Sequence, residues 1–383
     1  MKSKSKEQKT YNNRKDWILE IYYYGNKVYQ LSYALPIYQK LGGVFVVNSF
    51  KKYLDFKKIF KNKNNKSSFF NHFKISTFLN TPPIKIIKEE KHCKLSGTIV
   101  YCCNRLDQKN AYKGKTIYLE HGISDKPVGI DNDPIAIERL KRYDLILLSS
   151  PKNRIKYMES SNEISETKFR EIGFFKFDQY QKLYELRERE LKRLKIKDTS
   201  RKNILYAPTW KFGDGTFEKY GKKFAKEISK DFNLIIRLHS NEMKLAKNFK
   251  KWLKNNSIKN VYLSNSKDVI NADTLNDFVI SDLMIGDMSS VVYEFLVTKK
   301  PIIIAKHDYQ RIIKMPDNMN IMKNASIFDE EKNDIVDLIK KNLSKPSYDV
   351  EKMFESCFYN SIDNSIENIV NILDKELKQD QTV

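Results

Sequence analysis

Two successive series of short apolar runs, each run trailed by a stretch of helical character, restrict this chain more than any other feature. The first series occupies residues 18–24, 43–47, 98–102, 116–119 and 145–149. The second occupies residues 203–206, 234–238, 261–263, 283–285 and 301–305. Apolar strands alternating with helices build βαβ units around a mostly parallel sheet. Two such series predict two Rossmann-like halves with a cleft between the carboxyl ends of their sheets, where ligands of such folds bind. Between them, Tyr180, Leu183, Leu186, Leu191 and Leu194 fall near helical spacing in a highly charged stretch, so residues 179–197 are predicted as a connecting helix. Residues 350–377 carry a second stripe, Ile362, Ile366, Ile369, Ile372 and Leu373, on a helical segment expected to pack back across the junction. The expected organisation is an N-terminal domain over residues 1–178, a second domain over 179–345 and closing helices over 346–383.

A chain of 383 residues is long enough for two ordinary domains, and a hydrophobic content of 40% excludes disorder throughout. Its 70 Lys and Arg against 48 Asp and Glu leave a formal charge of +22, which points to a polyanionic partner: nucleic acid, an anionic bilayer or a phosphate-rich substrate. The lysines are spread through every segment instead of forming a stripe with interleaved aromatics, which argues against nucleic acid. Four cysteines without a CxxC pair, and no histidine at ligand spacing, argue against a disulfide framework and a zinc site. No apolar run approaches the roughly 18 residues of a spanning helix, and Met1-Lys-Ser-Lys-Ser-Lys lacks the apolar core of a secretion signal. A cytoplasmic protein is expected, with residues 1–16 as a flexible basic arm able to rest on the anionic inner face of a membrane. Residues 62–70, rich in Lys, Asn and Ser, are predicted as a surface loop.

The chemistry-bearing residues cluster where strands end. In Asp282-Leu-Met-Ile-Gly-Asp287-Met-Ser289-Ser290, an apolar strand runs into an acid and then into two hydroxyls that open a helix. Helix-terminal N–H groups and hydroxyls make an anion site, although Ser289 would serve equally as a plain N-cap. Three further strand ends are Leu119-Glu120-His121-Gly122, Tyr206-Ala-Pro-Thr209-Trp210 and Arg237-Leu-His239-Ser240. His121 and His239 follow strands in opposite halves and so could face one cleft, where imidazole is suited to accept a proton near neutral pH or to stabilise phosphate charge. His72, His92 and His307 have no comparable setting.

Taken together, Tyr206-Ala-Pro-Thr-Trp, Arg237-Leu-His, Ser281-Asp282 through Asp287-Met-Ser-Ser to Glu294-Phe, Lys300-Pro301-Ile and the earlier His121-Gly122 resemble the ordered motifs of the CDP-glycerol glycerophosphotransferase family. The resemblance runs over residues 115–310, with a looser echo from Asp363 to Val370. It implies a GT-B fold, two Rossmann-like domains around an interdomain cleft, with the acceptor on the first domain and the donor nucleotide held mainly by the second. It implies His121 and His239 as the catalytic pair, Thr209, Asp287, Ser289 and Ser290 at the diphosphate end of the donor with Arg237 beside them, and no metal or cofactor. Glu120, Gly122, Trp210, Asp282 and Glu294 are further candidates from the same motifs. The implied reaction moves a polyol phosphate from CDP-glycerol or CDP-ribitol to a lipid-linked or glycan acceptor, releasing CMP, in the synthesis of teichoic-acid-like or capsular polymers. Two departures bear on donor identity: Ser240 stands where the family has proline after Arg-x-His, and Gln310-Arg-Ile-Ile replaces the usual extension. The alternatives are another GT-B enzyme using a nucleotide sugar, whether glycosyltransferase or 2-epimerase-like, and, from the charge alone, a nucleic-acid binder.

Overall fold

The computed structural model describes residues 20–61, 82–107, 109–120, 122–129, 133–211, 215–266, 273–308, 313–359 and 364–379. The basic arm, the 62–70 patch and Ile362 lie outside the described residues. Two parallel sheets carry the chain. The first contains β1 (Ile21–Tyr24), β2 (Val44–Val47), β3 (Ile84–Ile86), β4 (Thr98–Tyr101), β5 (Lys115–Leu119), β6 (Leu145–Leu148) and β7 (Phe169–Glu171), in the order β3-β2-β1-β4-β5-β6-β7. The second contains β8 (Asn203–Ala207), β9 (Asn233–Arg237), β10 (Val261–Ser264), β11 (Leu283–Gly286), β12 (Ile302–Ala305) and β13 (Ser326–Phe328), in the order β10-β9-β8-β11-β12-β13. Helices on both faces bury the central strands completely, which is why those strands read as unbroken apolar runs. This is the GT-B arrangement, two α/β domains facing each other.

The expected strands all form, and three more appear that the sequence pattern does not announce. β3, β7 and β13 have three residues each and sit at sheet edges. An edge strand needs apolar residues on fewer sides, so Ile84-Lys-Ile and Phe169-Arg-Glu carry charge within the strand. The expected connecting helix is two helices, Tyr180–Tyr184 and Arg187–Leu194, broken at Leu186 with φ −100° and ψ 13°. The break turns the chain so that Leu183 and Leu191 both reach the core, a demand that outweighs the helical propensity of the stretch. The closing segment is likewise two helices, Val350–Cys357 and Ser365–Gln379. Phe354 of the former packs on Phe177, Phe358 just after it packs on Phe174 and Phe177, and the latter lies on the first domain through Lys40–Glu367 (2.6 Å) and Lys115–Glu376 (3.1 Å). Among the described residues no helix is long and apolar enough to cross a membrane.

A buried polar cluster around Lys152 joins the domains. Lys152, on the helix Pro151–Ser160 after β6, is fully buried and donates to Asp125, to Tyr293 Oη at 2.8 Å and to the carbonyl of Met319 at 2.8 Å. Tyr293 Oη donates to Asp125 at 2.7 Å and accepts from the backbone N–H of Ile321 at 3.2 Å. Lys152 and Asp125 belong to the first domain, whereas Tyr293 and Met319 belong to the second. All three ammonium protons and every site on the tyrosine hydroxyl are used, the condition under which a buried ionic network is stable. Replacing Lys152 with Met leaves Asp125 buried without its cation, so Lys152→Met is expected to cost about 3–5 kcal/mol in denaturant unfolding. Lys152→Met combined with Asp125→Asn should recover most of that loss; a single variant within about 1 kcal/mol of the wild type would show that the cluster does not hold the domains.

Candidate active site

A cleft of about 570 Å³ opens between the carboxyl ends of the two sheets. In the second sheet the strand order reverses between β8 and β11, and such a switch point leaves a crevice because the connecting loops depart to opposite sides. The chain leaves β8 through Pro208, Thr209 and Trp210, and leaves β11 through Asp287, Met288, Ser289 and Ser290. All of these except Asp287 line the cleft. From the first domain Lys27, Gly122, Lys126 and Lys176 face it.

Asp287 works behind this wall. Its buried carboxylate accepts from the N–H of Thr209 at 2.9 Å, the N–H of Thr216 at 3.0 Å and Thr216 Oγ1 at 2.9 Å. Both ends of the loop after β8 are thereby pinned to the end of β11. Burial pushes this carboxyl up to about 6, against the pull of those donors. Ser289 caps the helix Ser290–Phe295, its Oγ accepting from the N–H of Val291 at 3.3 Å, so the capping role and a place in the cleft wall coexist. Arg237, the last residue of β9, is clamped by Asp277 at 2.7 Å, and Asp277 also binds Arg193 at 2.7 Å. A planar guanidinium held this way is fixed in direction.

His239 stacks on Trp210, with ring centroids 6.1 Å apart and planes 24° from parallel. Its Nδ1 accepts from the N–H of Asn241 at 3.2 Å. Burial, aided by the ammonium groups of Lys27 and Lys126, depresses the imidazole to about 4. His239 is therefore neutral at pH 7, and with Nδ1 accepting, the ring proton resides on Nε2.

The loop carrying the His-Gly motif is gripped by one face of the helix Pro151–Ser160. Tyr157 Oη donates to Glu120 at 2.5 Å, Asn153 Nδ2 to the carbonyl of Gly122 at 3.1 Å, Lys156 to Ser124 at 3.4 Å, and Lys152 to Asp125. Positions 152, 153, 156 and 157 recur at helical spacing, so four consecutive grips come from one stripe. Burial raises the Glu120 carboxyl and lowers the Lys156 ammonium to about 8. The loop is thus held against the second domain: a Cβ built on Gly122 would lie 3.4 Å from Ser290 Oγ and 4.0 Å from Glu294 Oε1.

Glu294 belongs to a charged corner of the cleft. Lys176 lies 3.5 Å from Glu294 and 3.6 Å from Asp273, with its ammonium 4.9 Å from the centre of the Tyr33 ring. Thr274 Oγ1 reaches Asp273 Oδ1 at 3.1 Å and Glu294 Oε2 at 3.4 Å. Burial raises the Glu294 carboxyl, whereas Lys176 lies well above the ordinary lysine range because burial is outweighed by the two carboxylates.

The structure therefore gathers Gly122, Thr209, Trp210, Arg237, His239, Ser289, Ser290 and Glu294 around one cleft. His121 lies outside the described residues, between Glu120 and Gly122. Three expected residues are not on the wall: Glu120 faces Tyr157 and Ser149, Asp287 is the loop pin, and Asp282 sits at the opposite end of β11, binding the N–H of Asn203 at 2.8 Å. A strand runs roughly 3.3 Å per residue, so the acids before and after Leu283–Gly286 belong to opposite ends of the sheet. His92 is packed in the first core against Tyr24 and Tyr101. Gln310, Arg311 and Ile312 lie outside the described residues, and Ser240 lines the cleft. Sequence reasoning missed Lys27, Lys126, Lys176 and Asp273, because single lysines in a chain with 70 Lys and Arg carry no signal of position. Among the described residues no group of three His, Cys, Asp or Glu could hold a metal ion.

Comparison with known proteins agrees with this architecture. Residues 91–373 match the family model described as CDP-Glycerol:Poly(glycerophosphate) glycerophosphotransferase. A teichoic acid glycerol-phosphate primase of Bacillus subtilis (strain 168) is 28% identical over 195 residues, covering 47% of this chain and 46% of that protein. The chain thus spans about half the length of the curated relative it matches. Among solved structures, a variant of the wall teichoic acid polymerase TagF superposes with a TM-score of 0.62 at 14% identity, over 95% of this chain and 90% of that one. The UDP-GlcNAc 2-epimerase of Methanocaldococcus jannaschii, in complex with UDP-GlcNAc and UDP, gives 0.57 at 14% identity, over 93% and 99% of the two chains. At these identities the likeness is one of fold.

The state of His239 yields a pH prediction. Between about 6.5 and 4 an unfolded histidine takes up a proton that folded His239 resists, so its contribution to stability is complete above about 6.5 and is lost as the pH falls through about 4. An NMR titration of the His239 ring should find an apparent pKa near 4, and an added nucleoside diphosphate should move it upward. A value that stays put on saturation with CDP would remove His239 from contact with the anion.

Proposed function

The chain belongs to the CDP-glycerol:poly(glycerophosphate) glycerophosphotransferase family, and on that premise we propose that it transfers a polyol phosphate, glycerol phosphate foremost, from a CDP-alcohol to a hydroxyl of a lipid-linked or glycan acceptor, releasing CMP. The observation that carries the reading is the meeting of two motifs from separate domains, Gly122 of the His-Gly loop lying against Ser290 at the switch point of the second sheet. In this reading the acceptor oxygen attacks the β-phosphorus, the bond from that phosphorus to the bridging oxygen breaks, and CMP leaves with the bridging oxygen. The hydroxyl proton passes to a base. Such a transfer is governed by positioning and charge stabilisation, which fixed cations and N–H donors supply.

The residues divide the work as follows. Lys27, Lys126, Arg237 and the Ser289–Ser290 turn receive the diphosphate. His239, with its proton on Nε2, donates to a phosphate oxygen, and the base is His121. Trp210 supplies an apolar face. Residues 1–178 form the acceptor domain, 179–345 the donor domain and 346–383 the closing helices. The +22 charge suits an enzyme resting on an anionic membrane face, where a lipid-linked acceptor is presented for assembly of a teichoic-acid-like or capsular polymer. A nucleotide sugar is the competing donor, since the similar epimerase fold is found with UDP-GlcNAc.

Titration with CDP-glycerol, CDP-ribitol and UDP-sugars separates these readings, and binding of UDP-sugars alone would overturn the first. His121→Ala and His239→Ala are each expected to lower kcat for CMP release by about 10²–10⁴-fold without loss of fold. Ser290→Ala should weaken CDP-glycerol binding about 2- to 10-fold, the effect of one hydrogen bond. Full turnover in His239→Ala would exclude that residue from the chemistry.

A further inference from the structure

The charged corner of the cleft is a poor place for a phosphate. Lys176 is matched by two carboxylates, Asp273 and Glu294, so the three groups as ionised sum to a net negative charge. Its contacts with them, 3.5 and 3.6 Å, are longer than the 2.7–2.9 Å typical of a closed ion pair. A group that both donates and accepts hydrogen bonds can bridge such a gap, and a hydroxyl does both. Thr274 Oγ1 adds one such group between the same carboxylates. An independent observation comes from the loop leaving β10. Ser266 lines the same cleft, and its Oγ, fully buried, has no hydrogen-bond partner among the described residues. A buried hydroxyl without a partner carries a cost that a polar ligand would relieve.

We propose that Lys176, Asp273, Thr274 and Glu294, with Ser266, form a polyol subsite that recognises vicinal hydroxyls, separate from the lysine-lined part of the cleft that takes the diphosphate. The inference rests on the proposed function and deepens it, since glycerol and ribitol offer adjacent hydroxyls that are uncharged. Carboxylate oxygens accept from the hydroxyl protons while the ammonium and the serine donate to the hydroxyl oxygens. The same chemistry is presented by the polyol of the donor and by the terminal polyol of a growing acceptor.

Calorimetric titration of CDP and CDP-glycerol, together with steady-state kinetics using a glycerol phosphate oligomer as acceptor, tests the subsite in Ser266→Ala, Asp273→Asn and Thr274→Val. Ser266→Ala breaks no hydrogen bond of the Ser266 hydroxyl among the described residues, and asparagine can cap the helix Thr274–Phe278 as Asp273 does, so these two variants should fold as the wild type does. If the donor's polyol occupies the corner, the variants weaken CDP-glycerol binding about 2- to 10-fold and leave the Kd for CDP unchanged. If the acceptor's polyol occupies it, both nucleotide affinities hold and the acceptor KM rises by a similar factor. Equal weakening of CDP and CDP-glycerol with the acceptor KM unmoved, or no change in any of the three, overturns the subsite. A wild-type protein that binds neither nucleotide overturns the proposed function and the subsite with it.

Discussion

Everything at the cleft depends on the grip that the helix Pro151–Ser160 exerts on the loop from Glu120 to Asp125. A loop at the end of a parallel strand has few backbone partners of its own, and Gly122 of this one lies against Ser290 of the other domain. Four side chains on one stripe of the helix take Glu120, Gly122, Ser124 and Asp125 of the loop, and the deepest, Lys152, reaches on to Tyr293 and Met319 of the other domain. Holding the loop and holding the domains together are therefore one interaction. Side chains locked by a fully satisfied buried network can keep a site within the few tenths of an ångström that catalysis requires, which loose surface contacts cannot.

The second domain solves the same problem differently. Its wall is built at a switch point, where two loops diverge and neither is supported by a neighbouring strand. Asp287 supplies the missing support by accepting from both ends of the loop after β8, so that Thr209 and Trp210 stand still relative to Ser289. Burying an acid for this purpose is unfavourable in itself, as its upward shift records, and the donors from Thr209 and Thr216 offset the cost. An aspartate that reads in sequence as a ligand contact is thus a brace for residues that line the cleft.

The sequence makes the fold legible wherever burial demands a pattern. Nine central strands spell themselves out as apolar runs because both their faces are covered, whereas β3, β7 and β13 sit at edges, where three residues suffice and charge is tolerated; the edge strand β10 is half-buried but still reads as an apolar run. The break at Leu186 was hidden because helical spacing on either side of it looks continuous in one dimension. The cleft was legible through motifs at strand ends, which located Thr209, Arg237, His239, Ser289 and Ser290. It was not legible through Lys176 or Asp273, whose meaning arises only when β7 and the segment after β10 are folded against each other. The gripping helix was readable in principle: Lys152, Asn153, Lys156 and Tyr157 share a face, but polar residues on a helix ordinarily mark solvent, and only the structure shows this face turned inward.

The electrostatics of the cleft argue for a ligand whose charge is unevenly distributed. On one side Lys27 and Lys126 are close enough to help depress His239, and Lys126 also pulls down the carboxyl of Asp287. On the other, Asp273 and Glu294 raise Lys176, and the charge of Asp273 adds to burial in raising Glu294. A molecule negative throughout would be favoured at the first side and opposed at the second, and a neutral sugar would leave the first unrewarded. The proposed donor, in which a diphosphate is joined to an uncharged polyol, would meet both, with its anionic group at the first side and its hydroxyls at the second. On the proposed reading, specificity would arise from the order of the two environments along the cleft as much as from any single contact.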